Sequence, residues 1–331
     1  MNRTNQILAG VLALQLIVVA IVLWPRPAAS LVRGEPLFPD VEADQIVRLT
    51  ITSTSGDRIQ LAKNMDKWVL PEADDYPTQE KKVPEFLEKI VGLTTDRLVA
   101  KTRASHKRLK VAEDDFERRI VFELADGTTH TLYLGTAPRY GTCHVRADKQ
   151  DEVYLTRNLT LSDASTSASL WINTVYFSVP KDQVVAMTVE NQNGRFEFEK
   201  DEAGKWAMKD LAPDEKFKEN NVISMVNRLV SLRMRYPLGK TEKDDYGLKE
   251  PNAMVTVKTK DSEGHVKPYS LLVGAKNEEE NSYVVKSSES PYYVYVSDYL
   301  IKAFVERGRK DFTELPPTPT PEATPETSST G

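Results

Sequence analysis

Cys143 and His144 are adjacent residues whose types could serve as nucleophile and base. Neighbours on a strand point to opposite faces, so the pair is poorly arranged for catalysis. The acids also occur in pairs, at Asp74-Asp75, Asp114-Asp115 and Asp244-Asp245, and two close carboxylates are what acid–base hydrolysis needs. Each pair falls in a stretch that reads as loop, where Asp favours turns, and solvated turns account for them. His106, His130, His144 and His265 are scattered, and a single cysteine leaves neither an internal disulfide nor a cysteine-cluster metal site. There is no G-x-S-x-G elbow, no phosphate-binding glycine loop, no G-x-G-x-x-G and no H-E-x-x-H. The expectation is a chain with no catalytic residue, cofactor or metal.

Two features have binding character. Arg97, Lys101, Arg103, Lys107, Arg108 and Lys110 form a basic run with His106 and no acid among them. Such a run suits anionic headgroups, a polyanionic polymer or an acidic partner, against the simpler reading of a solvated loop balanced by the acids from Glu113 to Glu117. Tyr293 and Tyr295 share one face of a predicted strand with Tyr292 beside them, and read either as ordinary strand tyrosines or as a ligand surface.

The elements that would position these residues occur twice. "DQIVRLTI" at 44–51 matches "DQVVAMTV" at 182–189 at an offset of 138, and Gly56 with Gly194 and Trp68 with Trp206 keep that offset. Gly135 and Gly274, ending "LYLG" and "LLVG", stand at 139, and "VYL" at 153–155 meets "VYV" at 294–296 at 141. So long a period indicates a tandem duplication of a whole domain with its own core rather than a solenoid repeat. Each copy reads as a hairpin, a short strand carrying Lys-Trp, an amphipathic helix and further strands. The helical stripes are Val83, Phe86, Leu87, Ile90 and Val91 in one copy and Val222, Met225, Val226, Leu229 and Leu232 in the other. Strands joined by turns with a few helices predict an α+β fold, an antiparallel sheet with helices on one face. Trp68 and Trp206 then close the core between sheet and helix, with twin stacking platforms as the functional alternative. The basic run has no acid-free counterpart in the second copy, where Lys240, Lys243 and Lys249 mix with Glu242, Asp244 and Asp245.

The 331 residues are 40% hydrophobic and 28% charged, with a net charge of −5 and a pI near 5.6, a globular composition without electrostatic footing on nucleic acid. Ile7 to Trp24 is an 18-residue apolar run, about 27 Å as a helix, and is expected to be a transmembrane anchor. Ala28-Ala29-Ser30 offers the alternative of a cleaved signal peptide, whose apolar core is ordinarily shorter. Basic residues flank both ends of the run, and a short N-terminal tail places the large domain outside the cytoplasm of a bacterial cell. The Pro- and Thr-rich end cannot form a core and is expected to be a disordered tail. The expected organisation is a tail at 1–6, anchor at 7–24, linker at 25–40, repeat domains at 41–178 and 179–312, and the disordered tail at 313–331.

The N-terminal apolar run, the doubled strand–"KWxx"–helix unit, "DYGLKEPNAMVTV" at 245–257, "LLVG", "YVV" and "YYVYV" together resemble domain-of-unknown-function family 4340. The resemblance covers about residues 41–312, and the first copy departs from the second copy's Tyr246-Gly247-Leu248 and Pro251 signature with "RLKVAEDDF" at 108–116. Members of that family are often encoded beside permease and ATPase components of gliding-motility-type ABC transporters. The resemblance therefore implies a noncatalytic accessory of an ABC-type transport complex held at the cytoplasmic membrane, with permease and ATPase subunits as partners. A glycan- or lipid-binding protein using the cleft between the copies and an envelope hydrolase of unrecognised type are the alternatives.

Overall fold

The structure, a computed structural model, describes residues 34–314 together with Gln15. Copy 1 runs β1 (Ile46–Ser53), β2 (Arg58–Asn64), β3 (Lys67–Leu70), β4 (Tyr76–Pro77), α1 (Lys82–Val91), β5 (Leu98–Ala100), α2 (His106–Leu109), β6 (Arg118–Leu124), β7 (Thr129–Leu134), β8 (Cys143–Ala147) and β9 (Val153–Thr156). Copy 2 runs β10 (Val175–Ser178), β11 (Val184–Asn191), β12 (Gly194–Lys200), β13 (Trp206–Met208), β14 (Lys216–Phe217), α3 (Glu219–Leu229), β15 (Ser231–Arg233) and β16 (Tyr236–Gly239). It continues through β17 (Ala253–Lys260), β18 (Val266–Asn277), β19 (Ser282–Ser287), β20 (Tyr293–Ser297), α4 (Asp298–Glu306), α5 (Arg309–Phe312) and β21 (Thr313–Glu314).

The duplication is visible in eight matching strands, with β4 added to the first sheet while β14 pairs with β21 instead. Copy 1 is a nine-stranded sheet in the order β4-β3-β2-β1-β6-β7-β8-β9-β5, and copy 2 an eight-stranded one in the order β13-β12-β11-β17-β18-β19-β20-β16. The registers correspond, with Leu49 opposite Phe122 and Ile51 opposite Ile120 in one, Met187 opposite Val257 and Val189 opposite Val255 in the other. The bridge Pro36–Thr94 and the pair Val175–Arg233 are 139 residues apart at both ends, so each copy begins with a short extended pairing, an isolated bridge at 36 and β10 at 175, ahead of the expected 41 and 179. α1 buries Val83, Phe86, Leu87 and Ile90, and α3 buries Val222, Met225, Val226 and Leu229, the expected stripes. Val91 is half-exposed, and Leu232 is buried from β15 rather than from the helix. The cores do not stay separate: buried residues of both copies join in one hydrophobic cluster that passes through Trp171, Ile172 and Phe177.

Two expectations need correction. The fold is mostly antiparallel sheet rather than α+β, because the doubled hairpins and meanders take far more of the chain than the helices do. Among the described residues no helix is long and apolar enough to cross a membrane. The longest, α3, has 11 residues, about 16 Å against a hydrocarbon core of about 30 Å. The expected span Ile7–Trp24 lies, apart from Gln15, outside the described residues, so no helix among the described residues supports the single-pass, extracytoplasmic placement that rested on it. The disordered tail was expected from 313, yet Thr313 and Glu314 form β21 against β14; residues 315–331 lie outside the described region.

Candidate functional site

Cys143 is fully buried, and burial pushes its thiol up to about 12, which removes the thiolate that nucleophilic attack requires. His144 is also buried, with Nδ1 2.9 Å from the Thr136 hydroxyl, and desolvation holds its pKa below the ordinary histidine value. Gly135 lies under the turn that follows α2: a Cβ there would stand 2.0 Å from the Leu109 carbonyl oxygen. Gly274 repeats this, at 2.0 Å from the Tyr246 carbonyl oxygen, so both glycines are demanded by close backbone approach. Gly56 and Gly194 serve the hairpin turns at φ of +91° and +129°.

A pair of cations escaped the sequence reading. Arg146 in β8 is buried, donates to the Val111 and Gln150 carbonyls and stacks 4.4 Å from the Tyr133 ring. Lys286 in β19 donates to the Ser287 and Ser290 carbonyls and lies 5.6 Å from the Tyr293 ring. Desolvation lowers the pKa of both. Two cations held by carbonyls and aromatic faces at matching places belong to the repeated fold.

The basic run divides into two groups. Lys107 pairs with Asp114 at 2.8 Å, Lys110 with Asp115 at 2.7 Å and Arg103 with Glu113 at 3.6 Å, so the second acid pair together with Glu113 neutralises half of it. Among the described residues no carboxylate stands in ion-pair range of Arg97, Lys101 or Arg108, all exposed. The two tyrosines are placed differently. Tyr293 is buried, its hydroxyl 3.1 Å from Glu242 and its ring 5.4 Å from that of Tyr246. Tyr295 packs edge-on against Tyr236 and accepts from Asn277.

Tyr292 and the first acid pair form the joint between the copies, which the sequence reading missed. Asp74 and Asp75 both take left-handed backbone, at φ of +51° and +60°. The Asp74 carboxylate accepts from the Lys240 amide at 2.5 Å and sits where a Cβ on Gly239 would come within 2.5 Å of it. The Tyr292 hydroxyl donates to the Asp75 carbonyl at 3.0 Å, its ring meets Tyr76 edge-on at 4.6 Å, and Lys240 Nζ lies 4.9 Å from it. Both aspartates are exposed, as expected of a solvated turn, and their two consecutive left-handed conformations are held in place by these contacts across the joint.

A groove of about 760 Å³ opens in copy 1 between the β2–β3 turn and α1, lined by Trp68, Ile46, Leu87, Pro77, Pro84 and Met65. Its charged lining is Asp44, Asp66, Glu80 and Glu88 against Lys63 and Lys67. Met65, at the rim, is 92% exposed at φ +46°, an apolar side chain on a turn conformation that favours Asn or Gly. Copy 2 handles the same place differently. Lys200, the cross-strand partner of Trp206, lies over that indole at 5.4 Å, and Phe217 of β14 stacks on Phe198 at 6.1 Å. In copy 1 the matching Lys63 turns to Asp66 at 3.6 Å.

The family model described as Domain of unknown function (DUF4340) matches residues 68–251, more than half of the chain. The chain is a DUF4340 protein. The match starts on Trp68 and ends on Pro251, crossing from one copy into the next, and is narrower than the 41–312 carried by the resemblance. No curated protein and no solved structure matches. In this DUF4340 chain the joint borders a second cleft of about 760 Å³, lined by Arg58, Gln60 and Glu72 of copy 1 and Arg235, Tyr236 and Lys243 of copy 2. Tyr236 is its one aromatic. The Trp68 groove suits an apolar segment with basic flanks; the cleft suits a polar ligand.

Proposed function

We propose that the chain is a noncatalytic accessory protein of an ABC-type transport complex that grips a partner segment in the Trp68 groove. The supporting observation is the contrast between the two tryptophans: one is covered by its own lysine, the other lines an open groove with an exposed methionine at its rim. An apolar floor with more carboxylates than ammonium groups around it selects an apolar anchor flanked by Lys or Arg. The association with permease and ATPase subunits rests on the family resemblance. The test is crosslinking and copurification of the C-terminally tagged full chain. Permease and ATPase subunits should be recovered, and lost when residues 41–312 are deleted; recovery of the chain alone overturns the proposal.

The cleft at the joint favours a second reading, a glycan or lipid held between the copies, since junctions are common ligand sites. Titration with glycan fragments and lipid headgroups decides it. Saturable binding abolished by Tyr236→Ala and indifferent to Met65→Glu supports this reading over the first.

A further inference from the structure

At one end of copy 1's sheet the start of β5, the end of β9 and the loop into β8 lie side by side. Leu155 donates its amide to the Arg97 carbonyl and Cys143 pairs with Thr156, so Arg97, Arg157 and the 136–142 loop share that end, on strands spanning about 10 Å. The Thr142 hydroxyl accepts from the Arg139 amide at 3.1 Å and donates to the Arg139 carbonyl at 2.7 Å, which fixes the loop. Tyr140 at its tip is fully exposed, and Leu98, next to Arg97, is 43% exposed. Among the described residues no carboxylate stands in ion-pair range of Arg97, Arg139 or Arg157, all exposed, and the neighbouring Asp96 accepts from the Thr94 hydroxyl at 2.9 Å.

Copy 2 builds the same end with the opposite charge. Counting on from Gly135 and Gly274, Arg139, Tyr140 and Gly141 stand where copy 2 has Glu278, Glu279 and Glu280, and the pairs Cys143–Thr156 and Ser282–Ser297 put Arg157 at the place of Asp298. Leu98 pairs with Tyr154 as Tyr236 pairs with Tyr295, so Arg97 corresponds to Arg235. Arg235 is paired with Glu280 at 3.4 Å, and Lys276 with Glu278 at 3.1 Å and Asp298 at 3.4 Å. The arginine kept in both copies is neutralised in one and faces solvent in the other, where two more join it. Like charges gathered on one face repel and add nothing to the fold.

We propose that this end of copy 1 is a contact face for an anionic phospholipid surface. Guanidinium forks match phosphate oxygens in pairs. The apolar residues decide between a lipid surface and a dissolved polyanion. A polyanion would be held by the arginines alone, whereas the exposed Tyr140 and Leu98 offer an amphipathic ring and an aliphatic chain to the boundary between headgroups and acyl chains. The contact is with headgroups and requires no crossing helix. Lys101 and Arg108, also exposed and without an ion-pair partner among the described residues, add to the basic character of copy 1. The face shares no residue with the Trp68 groove, so its test is independent of the reading of that groove.

The test is co-flotation of the full chain with vesicles of phosphatidylcholine alone and of phosphatidylcholine mixed with phosphatidylglycerol. Any adsorption through the apolar run at 7–24 is common to both, so the preference for the mixed vesicles reads the charged face. The wild type should prefer them by about a hundredfold, less as salt is raised. Arg97→Gln, Arg139→Gln and Arg157→Gln, all at exposed positions, should each cut the preference by about fivefold. Tyr140→Ser should weaken binding to the mixed vesicles as well. Equal binding to the two vesicle types overturns the proposal. So does a preference that survives the three arginine substitutions together, which would belong to basic residues elsewhere, such as Arg26 and Arg33. A preference that soluble polyphosphate abolishes and Tyr140→Ser leaves unchanged also overturns it, and makes the ligand a dissolved polyanion.

Discussion

Trp68 faces Lys63 across one hairpin and Trp206 faces Lys200 across the other, yet Lys63 turns away to Asp66 while Lys200 lies over the indole. With the same two residues in the same register, and with both indoles buried at 9% and 7% exposed, copy 1 carries a groove beside its tryptophan and copy 2 a lysine over its own. The comparison supplies a rule for a duplicated chain. What both copies keep serves folding, and what one copy alone has is free to serve binding. Gly135 with Gly274, the two tryptophans and the Arg146–Lys286 pair fall on the first side. The Trp68 groove and Arg97, Lys101 and Arg108, which have no ion-pair partner among the described residues, fall on the second.

The rule is broken most forcefully at the glycines. Gly135→Ala and Gly274→Ala should each cost about 3 kcal/mol or more, because the new methyl overlaps a backbone oxygen that cannot step aside. Urea unfolding measures both, and a marked loss in one copy with none in the other would contradict the shared-fold argument. Next in size is Asp74→Ala, which removes the partner of the exposed Lys240 amide and should cost about 1 kcal/mol. Asp214→Ala, in an exposed turn of copy 2 away from the joint, should stay within about 0.5 kcal/mol. Equal losses at the two sites would mean that the joint is not where Asp74 acts.

A pH scan sharpens the contrast between the two turns. The Arg309 guanidinium and the Ala212 amide hold Glu215 down to about 2 in the folded chain, below its ordinary 4.5. A lowered carboxylate stabilises above its unfolded pKa, so this contribution is full above about 4.5 and lost as pH falls toward about 2. Glu215→Gln should flatten that part of the stability profile, and an unchanged acid limb would refute the assignment. The smallest effect is local: at about pH 8 the Cys143 thiol should resist alkylation in the native chain and react once unfolded.

Much of the repeated fold was legible in the sequence. Alternation and turn residues locate β6 at 118–124 and the hairpins around Gly56 and Gly194, and the 3.6-residue stripe locates α1 and α3. The balance between sheet and helix was misjudged because short strands such as β5, β10, β15 and β16, two to four residues of useful pattern each, carry no periodic signal. The joint was missed for a related reason. Asp74-Asp75 has the composition of a solvated turn, and nothing local marks Gly239 or Tyr292, more than 160 residues away, as its seat. A usable signal did exist: Gly239 has no glycine counterpart at the matching place in copy 1, so the copies differ where they meet. The groove beside Trp68 was half visible, since the tryptophan could be placed on the strand but the path taken by Lys63 could not.

The central claim is that binding belongs to what copy 1 has and copy 2 lacks. Copurification from crosslinked cells tests it directly, comparing Met65→Glu with Ala203→Glu at the corresponding turn of copy 2, both exposed positions. The account predicts that Met65→Glu loses the permease and ATPase subunits while Ala203→Glu keeps them. Loss with Ala203→Glu, or retention with both, would contradict it.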